Sequence, residues 1–168
     1  DPKLETLPVF SFTLDPEDLL GEAGLRGTDS EGQPNAVKEG PLWERPVSIQ
    51  FVDFNHPEHS FAIEAGMRMH GNASQRVGPK PSFRLHFRGE YGADRLTFPL
   101  IPESTLQEFD SLVIRGGHQD QSNPFVQDEL SRRLFMDMGQ ISSLGLFAHV
   151  LINGEYYSYY NPVERYDV

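Results

Sequence analysis

Alternation of apolar and polar residues in short runs is the feature that most constrains how this chain can fold. In PVSIQFVDF (residues 46–54), Val47 and every second residue after it up to Asp53 fall on one side. In SFRLHFR (residues 82–88), three apolar residues share one face, and Ser82, Arg84 and His86 share the other. Because side chains alternate between the two faces of a strand, such runs predict half-buried strands. Further strands are predicted at residues 60–71 and 111–117.

One long helix is predicted over residues 123–139, NPFVQDELSRRLFMDMG. Asn123 can cap this helix, Pro124 suits its first turn, and Gly139 suits the left-handed position that follows its last turn. Four apolar residues recur at every fourth position and predict a buried stripe: Val126, Leu130, Leu134 and Met138.

The order of the predicted elements indicates an α+β fold. Asn153-Gly154 stands between two strand-like runs and predicts a tight hairpin after the helix. We therefore expect a mainly antiparallel sheet with the helix of residues 123–139 packed on it. Residues 1–46 are rich in Pro, Gly and acidic residues and predict an irregular lead-in. A short helical turn, capped by Asp15, is predicted within it at residues 15–21.

The charge of the chain restricts its partners. A net charge of −11, from 25 acidic and 14 basic residues, argues against nucleic acid, and no cysteine is present for disulfides or thiolate chemistry. No apolar run approaches the roughly 20 residues that a membrane span needs. Five basic residues nevertheless lie close together in the sequence: Arg68, Arg76, Lys80, Arg84 and Arg88. This basic stripe suits a small phosphorylated ligand, or its members are ordinary charges on exposed strand faces.

A polar loop from Gly71 to Gly78 separates two of the predicted strands. Its small residues permit close approach of a ligand, and consecutive backbone amides in such a loop can form an anion-binding nest. Arg76 within the loop and Lys80 just beyond it could add positive charge. The loop matches no known phosphate-loop motif, so a connection without a ligand is the alternative.

Glu129 lies on the predicted helix beside the apolar stripe. It could form a surface pair with Arg133, four residues later. It could instead turn toward the sheet and hold a cation on a strand, as a helix carboxylate of protein kinases holds the lysine that contacts ATP phosphates. Periodicity does not choose between the two. The scattered histidines show no metal-ligand spacing, so no metal site is predicted.

Four blocks, in order along the chain, resemble the CotH family, the spore-coat protein H type of atypical kinases. The blocks are GPLWERPVSIQF (residues 40–51), AGMRMHGNASQRVGPKPSFRLHFRGEYG (65–92), FDSLVIRGGHQDQSNPFVQDELSRRLFMDMG (109–139) and HVLINGEYYSYYNPVERYD (149–167). The resemblance implies a kinase-like fold. Residues 47–168 would form its small, sheet-rich lobe, preceded by the lead-in of residues 1–46.

The resemblance also implies which residues bind ATP. Lys80, with Arg84 as the other candidate, would contact the phosphates, and Glu129 would be the supporting carboxylate on the helix. The loop of residues 71–78 would cover the phosphates, and Glu164 would approach the adenine side. The implied ATP-binding residues are Lys80, Arg84, Arg76, Asn72, Ser74 and Glu164. Mg²⁺ would accompany the nucleotide, with its ligands and the catalytic carboxylates in a second lobe.

The intact bacterial parent would then phosphorylate Ser or Thr of a coat or surface protein, outside the cytoplasm or at the cell surface. Since the sequence ends at Val168, before any second-lobe carboxylates, we expect this fragment alone to be inactive. The alternative is a non-catalytic β-rich binding module of a large bacterial cell-surface protein. Its polysaccharide or protein partner would contact four exposed tyrosines: Tyr156, Tyr157, Tyr159 and Tyr160.

Overall fold

Short strands make up most of the regular structure, as the alternating runs predict. A computed structural model describes residues 2–118 and 125–165 of the chain. The strands are β1 (Val9–Thr13), β2 (Arg45–Val52), β3 (Phe61–His70), β4 (Ser82–His86), β5 (Leu96–Thr97), β6 (Glu108–Phe109), β7 (Ser111–Arg115), β8 (Ala148–Ile152) and β9 (Glu155–Glu164). The α-helices are α1 (Pro16–Leu20), α2 (Ala73–Arg76) and α3 (Gln127–Asp137), and short 3₁₀ turns occupy Pro2–Thr6, Asn35–Val37 and Pro41–Trp43.

Seven strands form one large mixed sheet that closes on itself in the order β1-β2-β3-β4-β7-β9-β8. Neighbouring strands of this sheet are antiparallel, except that β1 and β8, which close the ring, are parallel. Strands β5 and β6 pair separately. The structure is thus β-rich with one long helix, and most strand pairs are antiparallel, as predicted. The closing parallel pair was not predicted.

The prediction of an irregular lead-in is wrong for residues 9–13. These residues form β1, which hydrogen-bonds to β2 on one side and to β8 on the other. Phe10 and Phe12 point into the ring and are fully buried. The alternation within VFSFT is only five residues long, which is too short to predict a strand. Pairing with two strands that are distant in sequence, β2 and β8, stabilises it as one. That the family-like domain begins at residue 47 remains a prediction.

The other local predictions agree with the structure. Asp15 caps α1 by accepting a hydrogen bond from the Glu17 N–H at 2.9 Å. The apolar faces of β2 and β4 lie in the core, which contains Val47, Ile49, Phe51, Phe83 and Leu85.

The hairpin between β8 and β9 is confirmed. Asn153 and Gly154 both adopt positive φ, 52° and 81°, as the favoured two-residue turn requires. The turn is also tied to the first strand, because the Asn153 N–H donates to the carbonyl of Phe12 at 2.8 Å.

Helix α3 is shorter than predicted and presents a different face to the sheet. Its predicted cap Asn123 and first-turn Pro124 lie outside the described residues, whereas Gly139 does adopt the left-handed conformation, with φ of 79°. The predicted buried stripe is wrong: Val126, Leu130, Leu134 and Met138 are 46–69% exposed, whereas Glu129 is 4% exposed. Periodicity identified residues that share a face, but polar contacts of Glu129 decide which face meets the sheet. Within the described ranges, no helix is long and apolar enough to cross a membrane.

The burial of β1 gives a testable prediction. Phe10→Ala should lower the free energy of unfolding by about 3–5 kcal/mol, because it opens a cavity in the core. Leu42→Ala, also within residues 1–46 but at a side chain that is 87% exposed, should change it by less than about 0.5 kcal/mol. Urea unfolding of the two variants compares them. Equal, small effects would contradict the placement of β1 in the core.

Candidate functional site

Three neighbouring strands, β3, β4 and β7, carry basic side chains on the outer face of the closed sheet. On β3, Met67 points into the core, and Arg68 and His70 alternate with it toward the outside. On β4, Arg84 lies directly opposite Arg68. Arg115 ends β7 on the same face, because its neighbour Ile114 is fully buried. Strand alternation therefore gathers residues that are far apart in sequence.

A cavity of about 410 Å³, called the basic cavity below, opens over this face. Segments before β2, the turn α2 and the residue after β9 complete its wall. Its five permanently cationic side chains are Lys38, Arg68, Arg76, Arg84 and Arg165, and Glu39 is the one carboxylate among the described residues that line it. Pockets of this size hold small ligands. Carboxylates pair with three of these cations, Lys38, Arg68 and Arg76, so the positive surplus is smaller than the lining alone suggests. In an otherwise acidic chain the remaining positive charge favours an anion.

Four cations of the basic cavity have identified partners. Lys38 pairs with Asp29 at 2.6 Å, and Arg68 pairs with the buried Glu44 at 2.9 Å. Arg76 is 5% exposed, donates to the carbonyl of Lys38 at 3.2 Å and pairs with Glu39 at 2.7 Å. The Glu39 side chain is itself 76% exposed. Arg84 donates to the hydroxyl of Ser111 at 3.2 Å. Of the ATP-binding residues implied by the sequence, Arg76 and Arg84 are the two that line this cavity.

Three backbone amides of the loop from Gly71 to Gly78 are engaged within the loop itself. It contains the helical turn α2, in which the N–H groups of Gln75 and Arg76 donate to the Asn72 carbonyl. The Val77 N–H donates to Ala73 in the same way. The predicted nest is therefore wrong for these three amides, because the sequence can satisfy them within one capped turn.

Asn72 and Ser74 begin this turn and are exposed. Neither side chain lines the basic cavity. The Asn72 N–H donates to the side-chain oxygen of Gln75 at 3.3 Å, which gives Asn72 a capping role. Their contact with a nucleotide remains a prediction.

Lys80 lies outside the basic cavity, against aromatic rings. Its ammonium is 3.9 Å from the ring centre of Phe125, 4.3 Å from that of Tyr159 and 5.2 Å from that of Tyr160. Burial beside these rings lowers the pKa of Lys80 to about 8. No ion pair joins Lys80 to Glu129 in the part of the chain that the structure describes. The pair expected by analogy with kinases is absent there.

Glu129 instead attaches α3 to the sheet. Its carboxylate accepts hydrogen bonds from Arg133 at 2.8 Å, from the Gly145 N–H at 3.2 Å and from the Asn161 amide on β9 at 3.2 Å. Burial raises the pKa of Glu129, but hydrogen bonds from Arg132, Asn161 and Gly145 outweigh it, so the pKa lies below its usual range. Both interpretations of Glu129 are partly correct, because it pairs with Arg133 and also turns toward the sheet.

The neighbouring residue Asp128 makes the contact that had been assigned to Glu129. Its carboxylate pairs with the guanidinium of Arg115 on β7 at 2.7 Å. Arg132, one turn along the helix, also pairs with Asp128. A helix carboxylate thus does hold a cation on a strand, but the two residues are Asp128 and Arg115.

Glu164 is buried at the end of β9. Its carboxylate accepts hydrogen bonds from the Leu144 N–H at 3.0 Å and the Ser104 hydroxyl at 3.2 Å. It also borders a cavity of about 270 Å³ that is lined by His70, Arg115 and Arg165. The carboxylate therefore fixes two loops beside the site, and its approach to adenine remains a prediction.

Sequence analysis missed three basic residues of this region: Lys38, Arg115 and Arg165. Arg115 could have been found, since it follows the inward-pointing Leu112 and Ile114 with strand periodicity. Lys38 and Arg165 lie outside strands, and no local pattern marks them. Within residues 2–118 and 125–165, no group of three His, Asp or Glu side chains could hold a metal ion.

A protein-family model matches the part of the chain that contains most of this site. The model of the CotH kinase protein family matches residues 67–168, well over half of the chain. The chain belongs to the CotH family. The match includes Arg68, Arg76, Arg84, Arg115 and Arg165, whereas β1, β2 and Lys38 precede it. No curated protein matches the sequence.

The attachment of α3 in this CotH chain can be tested through Glu129. Glu129→Gln should lower the free energy of unfolding by about 2 kcal/mol at pH 7, because it weakens hydrogen bonds to a buried charge. The carboxylate has a lowered pKa in the folded state, so its contribution is complete above the ordinary value of 4.5. The contribution is lost as the pH falls below 4.5. The free energies of unfolding of the unaltered chain and of Glu129→Gln should therefore become equal there.

Urea unfolding at a series of pH values measures this difference. Glu108→Gln is the matched control, since Glu108 pairs with Arg95 at 3.1 Å but its side chain is 56% exposed. That substitution should change stability by less than about 1 kcal/mol at every pH. A Glu129→Gln effect that is equally small at pH 7 would show that the contacts of Glu129 do not anchor the helix.

Proposed function

We propose that this chain is the nucleotide-binding small lobe of a CotH-type protein kinase, with the phosphates of ATP in the basic cavity. The main support for this proposal is that five cationic side chains line one cavity in a chain of net charge −11. Membership of the CotH kinase protein family supports the same function. A phosphate chain would meet Arg84, Arg76 and Arg165, rather than Lys80.

The residues of the cavity suit phosphate groups chemically. Arginine presents a planar fork of N–H donors that matches phosphate oxygens and forms strong, charge-assisted hydrogen bonds. The carboxylate of Glu39, being largely exposed, can leave Arg76 when a ligand phosphate competes for it. The site can therefore exchange a weak, solvated ion pair for contacts with a more highly charged ligand.

The contribution to catalysis would be positioning and neutralisation of charge. Phosphoryl transfer requires fixed cationic groups on the phosphates more than covalent chemistry by the protein. Mg²⁺ would enter with the nucleotide, and the second lobe would supply the catalytic base and the metal ligands. In the intact parent the phosphoryl acceptor would be Ser or Thr of a coat or surface protein, outside the cytoplasm or at the cell surface.

The alternative binding module is less well supported, because its tyrosine surface is incomplete. Tyr156 and Tyr159 are 53% and 41% exposed, as that interpretation requires. Tyr160, in contrast, is fully buried and donates its hydroxyl to the carbonyl of Pro81 at 3.0 Å. Tyr157 is partly buried and accepts a hydrogen bond from Arg26 at 2.6 Å. Two exposed rings remain of the four predicted.

Titration calorimetry with Mg·ATP tests the proposal. Arg84→Ala should weaken binding about tenfold or more, because it removes a charge-assisted contact with phosphate. Arg95→Ala is the matched control: it removes the same charge from a side chain that is 62% exposed and outside the cavity, and it should leave the affinity unchanged. Circular dichroism confirms that each variant is folded.

The same titration of Lys80→Ala separates the two candidate phosphate sites. Unchanged affinity is expected, since Lys80 lies against aromatic rings outside the cavity. Weaker binding by Lys80→Ala together with normal binding by Arg84→Ala would show that the phosphates bind at Lys80, as the family resemblance implied. Absence of Mg·ATP binding by the unaltered chain would contradict the proposed function itself.

A further inference from the structure

His70, the last residue of β3, stands where three cavities meet. It lines the basic cavity, a second cavity of about 120 Å³ and the cavity of about 270 Å³ beside Glu164. Its place on the outer face follows from the alternation along β3, two residues beyond Arg68. A ligand that extends from the basic cavity across this face would therefore meet the imidazole.

Arginines from four different elements surround His70. They are Arg76 from α2, Arg84 from β4, Arg115 from β7 and Arg165 just after β9. Burial and then the charges of these four arginines lower the pKa of His70 from 6.5 to about 4. The imidazole is therefore neutral near pH 7 in the protein without ligand.

The other charged groups around the three cavities do not reverse this field. Asp128 is engaged by Arg115 and Arg132, and Glu164 accepts two hydrogen bonds from neighbouring loops. The exposed Glu39 pairs with Arg76, and Lys38 beside it pairs with Asp29. His118 lines the cavity of about 120 Å³ together with His70.

We propose that His70 is a proton-coupled ligand of the bound phosphate: the empty site keeps it neutral, and an anion among the arginines brings it a proton. This inference rests on the proposed nucleotide site and adds a residue and a pH dependence to it. Three of the four arginine charges that oppose a proton on His70, those of Arg76, Arg84 and Arg165, line the basic cavity and would be neutralised by a phosphate chain. Protonated His70 then becomes a further donor to the phosphate oxygens.

The size of the effect follows from ordinary electrostatics. The pKa of His70 is about 4 in the protein without ligand. An opposite charge within hydrogen-bonding range changes a pKa by about one to three, so we expect the bound phosphate to raise it to about 6. Binding at pH 6 would then take up about half a proton at His70. Because the bound state holds the proton more tightly, affinity should rise about tenfold as the pH falls from 7.5 to 5.0.

Two measurements on the full 168-residue chain test the inference, with Mg·ATP as the probe. Proton NMR follows the ring signals of His70 against pH, with and without saturating Mg·ATP, and His70→Gln assigns those signals. Calorimetry at pH 6 in two buffers of different ionisation heat counts the protons taken up. Subtracting the His70→Gln value removes the titration of the nucleotide itself.

We expect His70 to titrate near pH 4 when free and near pH 6 when Mg·ATP is bound, with loss of about half a proton of uptake in His70→Gln. His59→Gln, in a separate groove beside Phe98, is the control and should retain the full uptake. A titration midpoint that does not move while Mg·ATP binds would overturn the inference and leave the proposed function standing. Failure of Mg·ATP to bind at any pH would overturn both. If His70→Gln does not fold, triple-resonance NMR of the isotope-labelled unaltered chain assigns the His70 signals, and its titration decides alone.

Discussion

Side chains along a strand alternate between two faces, and in this protein that alternation determines both the core and the charge of the site. Met67, Leu85 and Ile114 fill the inside of the closed sheet, and their neighbours Arg68, Arg84 and Arg115 are directed outward. A shift of one residue in the pairing of any of these strands would place a guanidinium in the core. The register that stabilises the fold is therefore the register that collects the cations.

Closure of the sheet makes this register difficult to change. Strand β1 pairs with β2 and β8, so neither of its edges is free to slide, and Phe10 and Phe12 are packed on the inside. The turn at Asn153-Gly154 is bonded to the end of the same strand. A segment outside the family match thus supports the strands that carry the site.

Helix α3 is attached to the sheet by charge and hydrogen bonding, whereas most amphipathic helices use an apolar face. Asp128 reaches β7 through Arg115, and Glu129 reaches β9 through Asn161. Glu129 is buried, so removing one of its partners leaves a buried charge unsatisfied, which costs more than the contact itself; the Asp128–Arg115 pair is partly exposed. The position of the helix on the sheet therefore depends on the ionisation of Glu129, whose pKa is lowered by its hydrogen bonds.

Local chemistry made part of this structure predictable from the sequence. The hairpin at Asn153-Gly154, the cap at Asp15 and the inward faces of β2 and β4 depend on residues close together in the chain, and all agree with the structure. Strand β1 was missed because its pairing partners are distant.

The predictions that disagree with the structure required a choice between residues that local sequence patterns do not distinguish. On α3, periodicity could not show that Glu129 would be buried and Leu130 exposed. In the site, one of the two interpretations of Glu129 was a contact with a cation on a strand. Its neighbour in sequence, Asp128, makes such a contact with Arg115. Lys80 was selected by resemblance, and the aromatic ring of Phe125, which it contacts, lies far along the sequence.

The central claim is that the arginines of the outer sheet face, and not Lys80, receive the phosphates. A crystal structure of the chain with Mg²⁺ and a non-hydrolysable ATP analogue tests this most directly. We predict phosphate oxygens within hydrogen-bonding distance of the guanidinium groups of Arg84 and Arg165. Phosphates bound at Lys80, with Arg84 and Arg165 untouched, would contradict it.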